Sequence, residues 1–296
     1  MRLIFLILLL IFRSASAADL TLSLGKPSDV GMDATILEAG VNMYRKAIEH
    51  DEVRSAVILI ARKGRVVVHE TLGWKDKESR NPLKKNAMFR MASNTKPVVA
   101  TAVAILSEKR RLKFDDPVYR HFSSFNNDRA KGITLHHLLT HTSGFRIKPI
   151  FFKPLIEKSV KHPNAPSLKL EVDRFGEIGA AKPIGESYSY SNAGFNTLGA
   201  VVETVTGKPL EMCLDQLIYK PLGMNDSYHH EVADKLDGKL DRMSVVYYRR
   251  EGKWVKGWKP GQPPKYPFVR ASGGMISTAM DYAIFCQMYL NGGVYG

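Results

Sequence analysis

The sequence predicts a mixed α/β fold of the α+β type, in which an antiparallel sheet from the two ends of the chain is flanked by helices, with a helical insertion between them. Three observations predict it. Strand-like, β-branched runs cluster near residues 53–72 and return after residue 243. The stretch between them is dominated by helical periodicity. The composition is that of a globular chain: 296 residues, 44% hydrophobic, 24% charged. That length buries a sizeable core and the composition excludes disordered, collagen-like and coiled-coil classes. Two cysteines exclude a disulfide scaffold.

The elements follow in order. Asp33 to His50 reads as a helix with Ile36, Leu37, Val41, Tyr44 and Ile48 near one stripe. Val53 to Ala61 and Arg65 to Leu72 read as a hairpin turning at Lys63-Gly64. Ser93 to Lys109 is a helix, with Val99, Val103 and Leu106 at i, i+4 and i+7. Thr134 to Leu139 is a short helix before the Thr142-Ser143-Gly144 turn, and a further helix is expected near Leu168 to Ala180. Ala193 to Thr206 is a helix closed by Gly207 with Pro209 beyond, and Leu210 to Tyr219 continues helical. Met243 to Val255 reads as a hairpin turning at Glu251-Gly252. Ser277 to Leu290 is a last helix, stopped by Asn291-Gly292-Gly293. Residues 18–296 are read as one catalytic domain, with the sheet in 18–92 and 243–296 and a mainly helical part in 93–242.

The N-terminus has the pattern of a signal peptide over residues 1–17: Arg2, an apolar run from Leu3 to Phe12, and the small-x-small site Ala15-Ser16-Ala17. Ten helical residues reach about 15 Å, half of a ~30 Å bilayer core, so a membrane span is not expected. The expected location is secreted or periplasmic, with an uncleaved anchor as the alternative. The net charge of +14 includes the basic patches Lys109-Arg110-Arg111 and Arg249-Arg250. No nucleic-acid motif accompanies them. They read as a solvated basic face, with attraction to a carboxylate-bearing substrate or an anionic envelope as the sharper alternative.

Two short patterns can carry chemistry. In Ser93-Asn94-Thr95-Lys96 the lysine lies one helical turn from the serine, on the same face. A serine hydroxyl needs a base, and a buried lysine has its pKa lowered by desolvation. At the helix start, free N–H groups can support an oxyanion. Ser23-Leu24-Gly25-Lys26 has the same spacing but no apolar helix attached. In Tyr190-Ser191-Asn192 a tyrosine beside a cation can favour the phenolate and relay protons, and the Asn192 amide can orient the lysine and contact a substrate carbonyl. Tyr289-Leu290-Asn291 matches too, but reads as a C-cap.

Phe89 to Pro97, "FRMASNTKP", resembles the nucleophile segment of serine β-lactamases and penicillin-binding proteins, in the class C-like branch that includes DD-peptidases, D-aminopeptidases and esterases. "ITLHHLLTHTSG" (Ile133 to Gly144), "YSNAGFNTLG" (Tyr190 to Gly199), "GKPLEM" with "KPLGM" around Gly207 and Met224, and "ASGGMISTAMDYAIF" (Ala271 to Phe285) resemble that branch in the same order. The resemblance covers roughly residues 33 to 296 and implies a β-lactamase-like fold and a serine hydrolase that works through an acyl-enzyme. It implies Ser93 as nucleophile, Lys96 and Tyr190 as the groups that take and return its proton, and Asn192 as the residue that holds Lys96 and contacts substrate. Which of Lys96 and Tyr190 is the base stays open. No cofactor is implied.

Two departures stand out. Pro183 is separated from Gly185 by Ile184, where the branch usually has Pro-Gly. The family's third motif, Lys-Thr-Gly or His-x-Gly on a strand after the last helix, is not found after Leu290. That strand also supplies the second oxyanion donor, whose loss costs about 10²–10³ in rate in other enzymes. The chain is therefore expected to be C-terminally incomplete, with its C-terminal strands missing and its turnover as it stands in doubt. The expected substrate is a small molecule or peptide with an ester, amide or lactam carbonyl. Alternatives are a D,D-peptidase or β-lactamase acting on peptidoglycan-like substrates or penicillins, or a non-catalytic peptide or cell-wall binding module.

Other candidates read as structural. His141 lies in the Thr-Ser-Gly turn, His136-His137 and His229-His230 lack metal spacing, and Cys213 and Cys286 read as buried free thiols.

Overall fold

The computed structural model describes residues 21–145, 155, 157–229, 236, 238–263, 266 and 268–296. The expected signal peptide and His230 lie outside the described residues.

After β1 (Ser23–Leu24) comes α1 (Ala34–Glu49), started by Asp33, whose carboxylate accepts from the Thr35 and Ile36 N–H groups. β2 (Ser55–Arg62) and β3 (Arg65–Asp76) form the expected hairpin. Lys63 and Gly64 both have positive φ, the two-residue turn whose twist suits a hairpin. β1 joins β3 in parallel and β4 (Asn81–Pro82) pairs with its far end. β5 (Phe89–Arg90) leads through a 3-10 turn at Ala92–Asn94 into α2 (Thr95–Glu108), followed by α3 (Leu135–Leu139), α4 (Leu168–Ile178) and α5 (Asn192–Thr206). α6 (Leu210–Leu214), a π-helical turn at Asp215–Tyr219 and α7 (Lys220–Leu222) run on continuously. β6 (Tyr228–His229), the hairpin β7 (Tyr247–Arg250) and β8 (Lys253–Lys256), β9 (Met275–Ser277) and α8 (Ala279–Leu290) complete the chain.

The helices sit close to their expected spans, and the fold is the expected mixture of helix and sheet. The sheet organisation differs. The described strands form three sheets rather than one: β1-β3-β2 with β4, the antiparallel β5-β9-β6, and β7-β8. β5, β9 and β6 are two or three residues long and carry no period-2 signal, so pattern reading passes over them. They matter most for the site, because β9 joins the segment before Ser93 to β6.

α5 is the central helix. Ala193 to Val202 are all buried, and α2, α3, α4 and α6 pack against it. Leu198 and Val201, fully buried there, each contribute about 1.5–3 kcal/mol by leaving water. Gly199 lets the chain before β9 approach: a Cβ there would lie 2.5 Å from Ala271 Cβ. The β7-β8 hairpin is held to the first sheet by Arg54, whose guanidinium lies 4.9 Å from the Tyr247 ring and 5.3 Å from Trp254, and by the Lys256–Asp76 ion pair at 2.6 Å.

The α1 stripe is only partly internal. Val41 is buried, but Ile36 is 70% exposed and Tyr44 half exposed, so helical spacing marks the apolar stripe without saying that it is covered. Cys213 is buried as expected. Cys286 is exposed, a correction that follows from its place on the outward side of α8. Among the described residues no helix is long and apolar enough to cross a membrane, and no cluster of three or more His, Cys, Asp or Glu side chains is arranged to hold a metal.

Candidate active site

Ser93 lies in the 3-10 turn that opens α2, with Ala92 before it at φ +45. Left-handed backbone at a non-glycine residue is costly and persists where the surroundings enforce it. Here they do: Thr95 Oγ1 donates to the Ala92 carbonyl at 2.7 Å and accepts from the Met275 N–H at 3.1 Å, while the Met91 N–H donates to the Met275 carbonyl at 2.8 Å. β9 thus fixes the nucleophile turn from one side. Pro97 sits in the first turn of α2, where its missing N–H leaves no bond unmade.

The helix places Lys96 beneath Ser93. Lys96 is 4% exposed, whereas Ser93 faces solvent. Lys96 Nζ donates to Ser93 Oγ at 3.0 Å and to the Ser272 carbonyl at 2.7 Å. Ser272 is itself fixed by its N–H, which donates to the buried Asn196 Oδ1 on α5 at 3.0 Å. Tyr190 comes from the turn before α5, whose first residue follows the N-cap Ser191, bonded through its Oγ to the Gly194 N–H. The Tyr190 hydroxyl donates to Ser93 Oγ at 2.7 Å, and Lys96 Nζ lies 4.6 Å from the Tyr190 ring centre.

The electrostatics of the pair converge. Burial holds the Lys96 ammonium below the ordinary lysine value, and the Arg270 charge acts in the same direction. Burial alone would raise the Tyr190 phenol, but the neighbouring Lys96 ammonium and Ser93 hydroxyl outweigh it and leave it below the ordinary tyrosine value. An amine that loses its proton more easily and a phenol that does likewise both bear on one hydroxyl, which is what activation of a serine requires.

Asn192 lines the open cleft in front of Ser93, about 380 Å³ in volume, with Arg90, Val246, Arg270 and Ser272 to Gly274. It does not hold Lys96. Among the described residues that bond goes to the Ser272 carbonyl, because the β9 approach brings a backbone acceptor to the buried ammonium, whereas Asn192 lies at the cleft wall. Ser272 has no residue-type signal of its own: in the "ASGG" run a Cβ added at Gly273 would meet the Ala92 carbonyl oxygen at 3.4 Å, an ordinary contact. Arg90 and Arg270 could be found only by position, next to the nucleophile segment and the "ASGG" run. The two decoys lie elsewhere. Ser23 is in β1, bonded to Arg65. Tyr289 bonds Thr101 Oγ1, and Asn291 caps α8.

The β-lactamase family model matches residues 42–295. The chain is 33% identical over 232 residues to esterase EstB of Burkholderia gladioli, covering 75% of this chain and 57% of that one. It is 30% identical over 176 residues to penicillin-binding protein 4* of Bacillus subtilis, covering 58% and 37%. The chain thus spans little more than half the length of the esterase. Among solved structures, the octameric penicillin-binding protein homologue from Pyrococcus abyssi superposes with a TM-score of 0.70 at 27% identity, over 89% of this chain and 57% of that one. A class C β-lactamase from Rhodobacter sphaeroides superposes with a TM-score of 0.65 at 22% identity, over 87% and 67%. The chain belongs to the β-lactamase family, with a β-lactamase-like α/β fold.

Proposed function

We propose that this protein is a secreted serine hydrolase that opens an ester, amide or lactam carbonyl through an acyl-enzyme on Ser93. The observation that carries the reading is the convergence of Lys96 Nζ and Tyr190 Oη on Ser93 Oγ, at 3.0 and 2.7 Å, at the edge of an open cleft. Ser93 gives its proton to Tyr190 as phenolate or to Lys96 as free amine, and Oγ bonds to the carbonyl carbon. The tetrahedral oxyanion is supported by N–H groups at the start of α2. Collapse breaks the bond to the alcohol or amine, which leaves with the proton. Water then repeats the sequence on the Ser93 ester and frees the acid.

The similarity to relatives named esterase and penicillin-binding protein supports a reading with ester hydrolysis first and D,D-peptidase or β-lactamase chemistry as the related readings. Arg90 and Arg270 in the cleft favour substrates that carry an anionic group. Mature protein would begin after Ala17.

A fluorescent fluorophosphonate or penicillin tests the reading. Wild-type protein is expected to gain one adduct, located on Ser93 by mass spectrometry, and Ser93→Ala none. A folded wild type that takes up neither probe and cleaves no activated ester would overturn it.

A further inference from the structure

The N–H groups of the two residues on either side of Tyr190 are both held by one residue. The Ser189 N–H donates to the His141 carbonyl at 2.7 Å, and the Ser191 N–H donates to His141 Nδ1 at 3.0 Å. Between these two bonds the His141 ring lies against the Tyr190 phenol, with centres 4.6 Å apart and planes at 35°. Phe195 and Tyr188 close on the same ring at 5.1 and 5.6 Å. The backbone of His141 is left-handed, φ +59, a conformation uncommon outside glycine, though histidine adopts it more readily than most residues. The Thr142 N–H bonds to the His137 carbonyl at 2.8 Å, and the Gly185 N–H to the Thr142 carbonyl at 2.8 Å, so the turn that imposes this conformation is tied down on both sides.

We infer that His141 is the positioning residue for Tyr190, holding the phenol over Ser93 through an Nδ1 acceptor that exists only while the imidazole is neutral. The inference rests on the reading of Tyr190 as a proton-transfer partner of Ser93. An imidazole that accepts at Nδ1 carries its proton on Nε2. The titratable groups facing the ring are Lys96, Tyr190 and Tyr188, with Phe195 apolar between them. Burial, and then the Lys96 charge, hold the imidazole below its ordinary value, which keeps the acceptor at neutral pH. Protonation turns Nδ1 into a donor facing the Ser191 N–H, and brings a second cation toward Lys96. The clamp then opens on one side, and the phenol loses its fixed distance to Ser93. His141 touches no reacting atom. Its contribution is the geometry of a hydroxyl that does.

Two substitutions separate acceptor from ring. His141→Phe keeps the ring and loses the acceptor. His141→Asn keeps an acceptor near the Nδ1 position, tolerates left-handed backbone, and does not titrate. The readout is the second-order rate of acylation by a fluorophosphonate between pH 4.5 and 9, with circular dichroism as the folding control. His141→Phe is expected to slow acylation about 10- to 100-fold, the scale of a misplaced reacting group. His141→Asn is expected to recover at least several-fold of that loss and to shed the part of the acidic limb that His141 protonation adds, keeping only the limb set by the base that takes the Ser93 proton. If His141→Phe does not fold, this change in the acidic limb of His141→Asn decides. Wild-type rates in both variants with the acidic limb intact would overturn the inference while leaving the Tyr190 reading in place, provided Tyr190→Phe is slow. Wild-type acylation by Tyr190→Phe would overturn both.

Discussion

Lys96 Nζ donates to the Ser272 carbonyl at 2.7 Å across 176 positions of sequence. This bond, with the one to Ser93 Oγ, keeps a lysine in place under a solvent-facing serine although burial disfavours its charge. A buried ammonium with a lowered pKa costs stability and supplies chemistry at the same atom.

Lys96→Met is therefore expected to separate the two. Acylation of Ser93 should fall by about 10³-fold or more, the scale of losing an activating base. Thermal stability should not fall. The sign follows from proton counting. Between the lowered folded value and the ordinary 10.5, the unfolded chain binds more protons than the folded one, so wild-type stability rises with pH across that window. The stability advantage of the methionine variant should be largest at neutral pH and shrink toward pH 10. Thermal melts at pH 7, 8.5 and 10 check this. A methionine variant that melts well below wild type at pH 7 would show that the lysine is a net stabiliser.

Gly199→Ala tests how the helical core sets the site. The added Cβ would stand 2.5 Å from Ala271 Cβ and 3.0 Å from Leu210 Cδ2. On an isolated helix alanine would stabilise, but here overpacking should cost about 1–3 kcal/mol. Ala271 precedes Ser272, so the strain bears directly on the Lys96 acceptor. Denaturant melts should show a lower midpoint with unchanged slope, and acylation should slow even where the variant is fully folded. Equal stability and rate would mean that the chain before β9 moves freely.

These residues also show what the sequence carries. Ser93, Lys96 and Tyr190 are legible through the resemblance of five ordered segments to the family, because the Ser-x-x-Lys and Tyr-x-Asn spacings each recur elsewhere in the chain, at Ser23–Lys26 and Tyr289–Asn291. Ser272 is not legible in the same way. It acts through a backbone carbonyl, which has no residue-type signature, and lies in the irregular segment just before β9, a three-residue strand too short to have a period. Asn192 illustrates the opposite error. Its amide is chemically suited to hold a lysine, but the first residue of α5 points to the cleft wall while β9 brings a carbonyl to the buried ammonium. The helices are legible from their apolar spacing and from the stops at Gly207 and Asn291-Gly292-Gly293, and the structure adds side-chain caps at Asp33, Ser191 and Thr278. The division of strands into three sheets is set by long-range packing, which local pattern does not encode.

Arg270→Gln should change selectivity more than turnover. Arg270 lines the cleft with Arg90, and its guanidinium lies 4.1 Å from the Tyr266 ring centre, which fixes its direction. Hydrolysis of a p-nitrophenyl ester with a carboxylate on its acyl chain should fall about 10-fold relative to a neutral ester of equal length, the order expected for one partly screened charge. Added salt should narrow the wild-type preference and affect the variant, which keeps Arg90, less. A wild type with no preference for the anionic ester would remove the assignment of these arginines to substrate.

Asp281 offers a stability test away from the cleft. Its Oδ2 accepts from the Asp226 N–H at 2.8 Å and from Ser227 Oγ at 2.9 Å, which ties the turn before β6 to the start of α8. The residue is 7% exposed, and burial raises its carboxyl above the ordinary 3.8. For an acid raised in this way, the folded chain holds more protons than the unfolded one above pH 3.8, so rising pH through the folded value removes stability. Asp281→Asn keeps an acceptor oxygen for both bonds and cannot ionise. Its stability relative to wild type should therefore grow as pH rises from about 4 toward 7. Asp281→Ala removes the acceptor, strands a backbone donor and a hydroxyl in the interior, and should cost about 1–3 kcal/mol at every pH in that range. Urea melts of the three proteins at pH 4, 5.5 and 7 check both arms. An asparagine variant that tracks the alanine variant would mean that the charge, rather than the acceptor, holds the turn.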